Sequence, residues 1–522
     1  MASLFFFAHF HRKRMLVSPE QPPTASGAAN RPVVLTTLLL LTVSFLNGCS
    51  LRQGLERQVI GDLGHFEYRA PQAHMAGVVI GAPRGLTDSK AGLLAKQISE
   101  RMGAGFIVAY GFKSKRISVA QPISRRQSQP APAEPAKRRS VFREFKDIFR
   151  KICNGDVRLY VELRLRKGND EIQGIEVASS GFSFEEARII EQFYVAAADH
   201  FGKRKTIATV SLSIDHSNQI SMDTWGMRHH GVLMLAEKGL VVHIPEKLLS
   251  ETNLDVVGEI FTAWIKAVTN LVYGNLRGVP QIQVKLMELG RLDTIHSRTG
   301  RASPGIVIGA PHGSYDAYTA GIARKLAFHT GWAAVIARGF TPTESGDDNR
   351  INVNRPTERR FSLIEREFET ERARTTYEQF KSSVLSAAEG ELKLYIDIHQ
   401  NNGSRIEVAT VGVSKEEARV IKNAYRAARD QALVARPDIA VVELAIEPLD
   451  PLDVGAWAAK KNGILMIAGR SLHFELPVDG LMSSARHRYI YTLILARLFE
   501  NLPAAMQAER ATTLRHNYTT KP

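Results

Sequence analysis

The sequence predicts an α/β protein built as two tandem copies of one domain, each a mixed, mainly parallel sheet covered by helices. Three observations predict it. The 522 residues exceed one ordinary domain, so two or more are expected. Short apolar runs of strand length alternate with helical stretches such as Phe184–Asp199 and Lys415–Asp430, the pattern of a sheet with helices packed on it. The chain also repeats itself: Gly77-Val78-Val79-Ile80-Gly81-Ala82-Pro83-Arg84-Gly85 returns as Gly305-Ile306-Val307-Ile308-Gly309-Ala310-Pro311-His312-Gly313.

The correspondence continues in order. Ala91–Gly103 matches Thr319–Gly331 as an amphipathic helix ending in glycine, and Gly111-Phe112 matches Gly339-Phe340. Leu159–Leu163 matches Leu394–Ile398, Ile175–Ala178 matches Ile406–Ala409, and Glu185–Arg188 matches Glu416–Arg419. Gly231–Met234 matches Gly463–Met466. Repeats of about 20 to 50 residues would mean a solenoid; this period is a whole domain. The division expected is 50–280 for the first copy and 300–510 for the second. Residues 51–76 read as short helix and loop, and Leu276–Pro304 reads as the junction. Gln127–Lys137 reads as a solvated Pro/Ala-rich excursion.

Ahead of the copies, Arg31-Pro32 precedes the uncharged run Val33–Leu46 and then Asn47-Gly48-Cys49. The run is short for a bilayer-spanning helix and suits the apolar region of a signal peptide. Leu46-Asn47-Gly48-Cys49 resembles a bacterial lipobox, which implies that 1–49 is a signal segment with lipidation at Cys49. That places the protein in the cell envelope, held to the membrane through its N-terminal lipid, and Ser50 after the cysteine implies the periplasmic face of the outer membrane. The chain has two cysteines, so a lipidated Cys49 leaves Cys153 with no partner for a disulfide. Cys153 is expected to be buried.

The net charge of +15 is concentrated in Arg12-Lys13-Arg14 and in Arg125, Arg126, Lys137, Arg138 and Arg139. These runs lack interleaved aromatics, which excludes a nucleic-acid partner as the first reading. A solvated basic surface is the plainer account.

What the copies share is what a fold needs: glycines, Ala-Pro, apolar strands and a helix start. The chemical residues split. His312 faces Arg84, His399 faces Arg164, Glu475 faces His243, and Asn354-Arg355 faces Ala120-Gln121; Asp316 alone is matched, by Asp88. These groups lie at strand ends, where ligands collect in open α/β sheets. Zinc in a hydrolytic site takes three ligands from His, Asp and Glu and leaves a position open for water. His312, Asp316 and His399 can supply them, giving one Zn2+ per chain in the second copy; manganese or cobalt could substitute. A carboxylate beside the metal can take a proton from water and pass it to a leaving amine, and Glu475 is the candidate. Asp397, two residues before His399, shares its strand face; it could orient the imidazole or be a ligand itself. The guanidinium of Arg355 matches a carboxylate in two-point contact, with Asn354 orienting it. Glu407 is shared with Glu176 and reads as structural, and His473 reads as packing.

Pro311-His312-Gly313 with Asp316, Asn354-Arg355 and Asp397-Ile398-His399 resemble the motifs of the N-formylglutamate amidohydrolase family, which is related in fold to zinc carboxypeptidases. The resemblance covers the second copy by motif and the first by fold alone. It implies an α/β/α sandwich of the phosphorylase/hydrolase-like kind, zinc at His312, Asp316 and His399, general-base chemistry at Glu475 and carboxylate binding at Arg355. The function expected is an envelope-anchored zinc hydrolase cleaving an amide bond in a carboxylate-bearing small molecule or peptide: an N-acyl amino acid, an acidic peptide or a cell-wall peptide. The alternative is a non-enzymatic lipoprotein that binds an anionic envelope polymer or a partner protein.

Overall fold

The apolar runs that repeat in the sequence become the centres of two sheets. The first lobe contributes β1 (Glu56–Ile60), β2 (Gly64–Arg69), β3 (Val78–Ala82), β4 (Gly105–Tyr110), β5 (Leu159–Arg166), β6 (Ile175–Ser180), β7 (Leu212–Ile214) and β8 (Lys238–Pro245). The second contributes β9 (Ile282–Leu286), β10 (Gly290–Ile295), β11 (Ile306–Ala310) and β12 (Ala333–Gly339). A small sheet follows, of β13 (Asn349–Asn352), β14 (Thr357–Arg360) and β15 (Phe368–Glu369). The second main sheet is completed by β16 (Leu394–Asn401), β17 (Ile406–Val411), β18 (Leu444–Ile446) and β19 (Arg470–Pro477). This computed structural model describes residues 54–519 apart from 85–88, 113–118, 122–133, 156, 167–173, 206–209, 216–219, 221, 223–224, 275–280, 299–303, 315, 317, 341–348 and 361–365.

The first sheet runs β1-β2-β4-β3-β5-β8-β6-β7 and the second β9-β10-β12-β11-β16-β19-β17-β18, so the two eight-stranded sheets share one strand order. Orientation agrees as well. In the second sheet the pairings from β12 through β11 and β16 to β19 are parallel, while β10 and β17 join antiparallel; the first sheet repeats this with β4, β3, β5 and β8. The register matches at the positions that matter: Arg164 lies beside His243 as His399 lies beside Glu475.

Helices cover both faces of each sheet because successive strand residues point to opposite sides. From β3, Val78, Ile80 and Ala82 enter a core with Leu94, Ile190 and Trp264 of the helices Ser89–Met102, Phe184–Lys205 and Leu254–Tyr273. Val79 points the other way, to Phe145 and Phe149 of the helix Glu134–Cys153. In the second lobe Ile306, Ile308 and Ala310 meet Leu326, Tyr425 and Leu495, whereas Val307 meets Phe380 and Val384. Each fully buried Val, Leu, Ile or Phe among these contributes roughly 1.5–3 kcal/mol of transfer free energy.

Local signals that the two lobes share serve the same ends in both. The helices Ser89–Met102 and Thr319–Thr330 stop at Gly103 and Gly331, which take φ of 74° and 75°, a left-handed conformation that glycine reaches without a steric penalty. Ser183 with Glu186 and Ser414 with Glu417 form reciprocal caps on the next helices, satisfying two donors at each helix start.

Three expectations are corrected. The segment 51–76 carries β1 and β2 rather than a helix, with one short 3-10 turn at Ala73–Met75. The expected junction 276–304 holds β9 and β10, which join the second sheet through the pairing of β10 with β12. The Pro/Ala-rich excursion ends early, since the helix Glu134–Cys153 starts within it. The signal segment, Cys49, Asp88 and most of the Gln127–Lys137 stretch lie outside the described residues. Among the described residues no helix is long and apolar enough to cross a membrane. Cys153 is free and buried, and burial pushes its thiol up to about 12.

The lobes meet through buried polar contacts. Arg291, with no exposed surface, lies on β10 and pairs with Asp293, and it reaches across to the carbonyls of Leu233, Ala236 and Glu237 at 3.1, 2.8 and 3.2 Å. Arg324 donates to the carbonyl of Phe182 at 2.6 Å. A buried guanidinium is tolerated only when its donors find acceptors, so these contacts specify how one lobe seats on the other.

Candidate metal centre

Strands β11, β16 and β19 are adjacent and parallel, so their carboxyl ends line up at one edge of the second sheet. The turn after β11 carries His312 and Asp316; β16 presents Asp397 and His399 on one face; β19 presents His473 and Glu475. All six are buried. The close approach of β16 to β11 relies on Gly309, where a Cβ would run into the ring and hydroxyl of Tyr395.

His312, Asp316 and His399 converge, with one ligand atom from each lying within 4.8 Å of the others. Asp316 Oδ2 lies 3.4 Å from His312 Nδ1 and 3.1 Å from His399 Nδ1. The opposite nitrogen of His399, Nε2, is 2.8 Å from Asp397 Oδ2. That arrangement, a carboxylate behind a histidine whose other nitrogen faces the centre, fixes the ring and its tautomer in metal sites. A second grouping, Asp397, His399 and His473, also brings ligand atoms within this distance. Asp397 is, however, already occupied: Tyr395 donates to Oδ1 at 2.9 Å, while His399 and His473 contact Oδ2 at 2.8 and 3.2 Å. The first grouping is thus the freer of the two to take a cation, with Asp397 standing behind His399.

The electrostatics fit a cation. Burial and the Arg350 guanidinium push His312 down to about 3, leaving a neutral imidazole ready to donate a lone pair. Burial works against ionisation of Asp316, but hydrogen bonds from His312 and His399 hold its carboxyl well below the usual range. His399 is the reverse case: burial disfavours its charge, yet the Asp397 charge and the bonds to Asp316 and Asp397 push it up to about 10. A positive charge is thus favoured between Asp316 and Asp397, and a metal at Nδ1 would take the place of that proton.

Two residues of the site were not singled out by the sequence. His473 was read as packing; in the structure its Nε2 lies 3.0 Å from Glu475 Oε1 and its Nδ1 3.2 Å from Asp397 Oδ2. The signal was present, since residues two apart on a strand share a face. Arg350, on β13, sets its guanidinium 3.2 Å from His312 Nδ1. Asn354 and Arg355 occupy the turn after β13. Arg355 is engaged by Glu367 through a two-point contact, with Nε at 2.7 Å, and by Asn354 Oδ1 at 2.9 Å. One of the chain's own carboxylates therefore fills the fork that the sequence assigns to a substrate. Glu407 is structural, accepting from the backbone of Asp453 and Val454 at 3.1 and 2.9 Å and from Arg405.

In the first lobe the matching positions hold other chemistry. Arg164 pairs with Glu162 and contacts Met227 Sδ at 2.7 Å, and burial with Arg164, Arg84 and Arg166 nearby pushes His243 down to about 3. Among the described residues both candidate metal groups lie in the second lobe.

No protein-family model matches this sequence, and no curated protein matches it. Solved structures similar to it include a bacteriophage poly-gamma-glutamate hydrolase (11% identity, TM-score 0.25, covering 42% of this chain and 93% of that one). A metallo-carboxypeptidase from Burkholderia cenocepacia is similar at 14% identity and a TM-score of 0.28, covering 44% of this chain and 65% of that one. A succinylglutamate desuccinylase from Vibrio parahaemolyticus is similar at 15% identity and a TM-score of 0.24, covering 42% and 64%. At such scores, function is to be read from the side chains of the site.

Proposed function

We propose that this chain is a zinc-dependent hydrolase of the amidohydrolase/carboxypeptidase-like kind, cleaving an amide bond in a carboxylate-bearing small molecule or peptide. The second lobe is its catalytic copy, and the first is a duplicate that has lost the chemical residues. The common strand order and the matching register support the duplication. The reading of export and lipidation at Cys49 places the enzyme in the cell envelope.

The observation that carries the reading is the convergence of His312, Asp316 and His399 with Asp397 behind His399. These three residues would hold the ion, which when bound acidifies a water and polarises a carbonyl. Glu475, on the strand beside His399 and level with it, takes the water's proton and returns it to the departing amine nitrogen as the C–N bond breaks. His473 holds the carboxylate of Glu475 in place. Arg350 supplies fixed positive charge next to His312, suited to the oxygen on which negative charge develops. A substrate carboxylate would bind at Arg355 by displacing Glu367.

Metal analysis of the purified full chain beside its His399→Ala variant tests this directly. About one zinc per chain, lost in the variant, is the expected result. No bound metal, or metal indifferent to the change, would sink the hydrolase reading and favour the binding lipoprotein.

A further inference from the structure

A cavity of about 590 Å³ opens between the lobes, away from the metal centre. Its first-lobe wall is formed at the amino-terminal ends of β5 and β8 by Arg158, Glu237 and Lys238, with Tyr273 alongside. Its second-lobe wall is the edge strand β9, with Gln283 and Lys285, and the helix Glu371–Ala387, with Ser382 and Ser386. In strand order β10 and β12 stand between β9 and the strands that carry the metal centre. The volume falls within the usual range for small-molecule sites.

The charges on the wall do not cancel. Lys238 is neutralised by Glu186 at 3.0 Å and also bonds the carbonyl of Gly181. Arg158 lies 4.0 Å from Glu237, with its guanidinium 4.4 Å from the ring centre of Tyr273. Lys285 contacts the neutral amide oxygen of Gln379, which among the described residues leaves one surplus positive charge facing the cavity. Gln283 and Lys285 are two apart on β9 and so share a face, while Ser382 and Ser386 are four apart and so share a helix face. Hydroxyl and amide groups both donate and accept, so they match a ligand rich in hydroxyls, and the half-exposed ring of Tyr273 offers a flat apolar surface.

We infer that this cavity is a binding site for an acidic saccharide, a sugar chain bearing a carboxylate on a hydroxyl-rich ring. Lys285 meets the carboxylate, Gln283, Ser382 and Ser386 meet the hydroxyls, and Tyr273 underlies a ring. The site is independent of the metal centre. It would hold the enzyme against a uronate-containing polymer while the second lobe works elsewhere.

Calorimetric titration of the full chain with trigalacturonate, and with maltotriose as a neutral control, tests the inference. Saturable binding of trigalacturonate is expected near the millimolar range or tighter, at least about tenfold stronger than that of maltotriose. It should weaken with added salt. Lys285→Glu, an exposed position whose change leaves folding intact, should abolish the binding and leave metal content unchanged. The Ser382→Ala, Ser386→Ala double variant should weaken it without reversing the preference for charge. No saturable heat, equal binding of the two sugars, or undiminished binding by Lys285→Glu would each overturn the assignment.

Discussion

The hydroxyl of Ser314, in the turn that carries His312 and Asp316, lies 3.3 Å from the backbone carbonyl of His229 in the other lobe. The same oxygen accepts the backbone N–H of Gly339 at 2.5 Å. One buried side chain therefore joins the site turn to β12 and to the first lobe. Ser314→Ala removes both contacts at once, and the expected loss of stability is about 1–3 kcal/mol. It is measured as a lower urea midpoint at unchanged slope; an unaltered midpoint would show that the tie is idle.

Asp397 orients His399 and is itself fixed by Tyr395 and His473. Asp397→Asn keeps the shape but removes the charge behind the ligand, and metal affinity should fall by about 10- to 100-fold. Competition with a fluorescent chelator reads this without any substrate. Affinity equal to that of the parent would remove Asp397 from the support of the site.

Glu475→Gln should lower kcat by about 10² to 10⁴ while sparing bound zinc. His473→Asn, which disturbs the contact with Glu475 but leaves the three ligands in place, should give a smaller loss in kcat and change KM little. Substantial turnover in Glu475→Gln would end its assignment as the base.

Arg355 is held by Glu367 and Asn354. Glu367→Gln weakens the internal contact and should tighten inhibition by a carboxylate-bearing product several-fold, whereas Arg355→Ala should abolish that inhibition. If both variants are inhibited like the parent, the carboxylate binds elsewhere, and Arg350 becomes the residue to change.

Two buried histidines of the first lobe contribute to acid sensitivity. Burial pushes His230 down to about 4, and burial with neighbouring arginines pushes His243 down to about 3. The unfolded chain takes up these protons near 6.5, before the folded one does, so their contribution is full above that pH and is lost as pH falls toward 3. Denaturant midpoints should fall steadily from pH 7 to pH 4, with a shallower fall in His243→Gln. A midpoint that does not change over this range would contradict the prediction.

The strands, the helix stops at Gly103 and Gly331 and the two matching sheets were legible because apolar period and glycine placement act locally. The convergence of His312, Asp316 and His399 was legible too, because the second half of the sequence carries His312 and His399 where the first carries Arg84 and Arg164 in the same pattern. β1, β2, β9 and β10 were less legible: β1, β2 and β9 are short and partly exposed, β10 buries the charged Arg291 and Asp293, and what makes them strands is pairing with β4 and β12. The sequence by itself thus determined which residues could do chemistry and which strand ends carry them, since residue type and periodicity need no partner. Only the tertiary structure decided that Asp397 stands behind His399 and is held by Tyr395 and His473, that Glu367 fills the Arg355 fork, and that Ser314 reaches His229. Each of these depends on which of several acceptors or donors, distant along the chain, comes within about 3 Å, and that is set by how the strands and lobes pack.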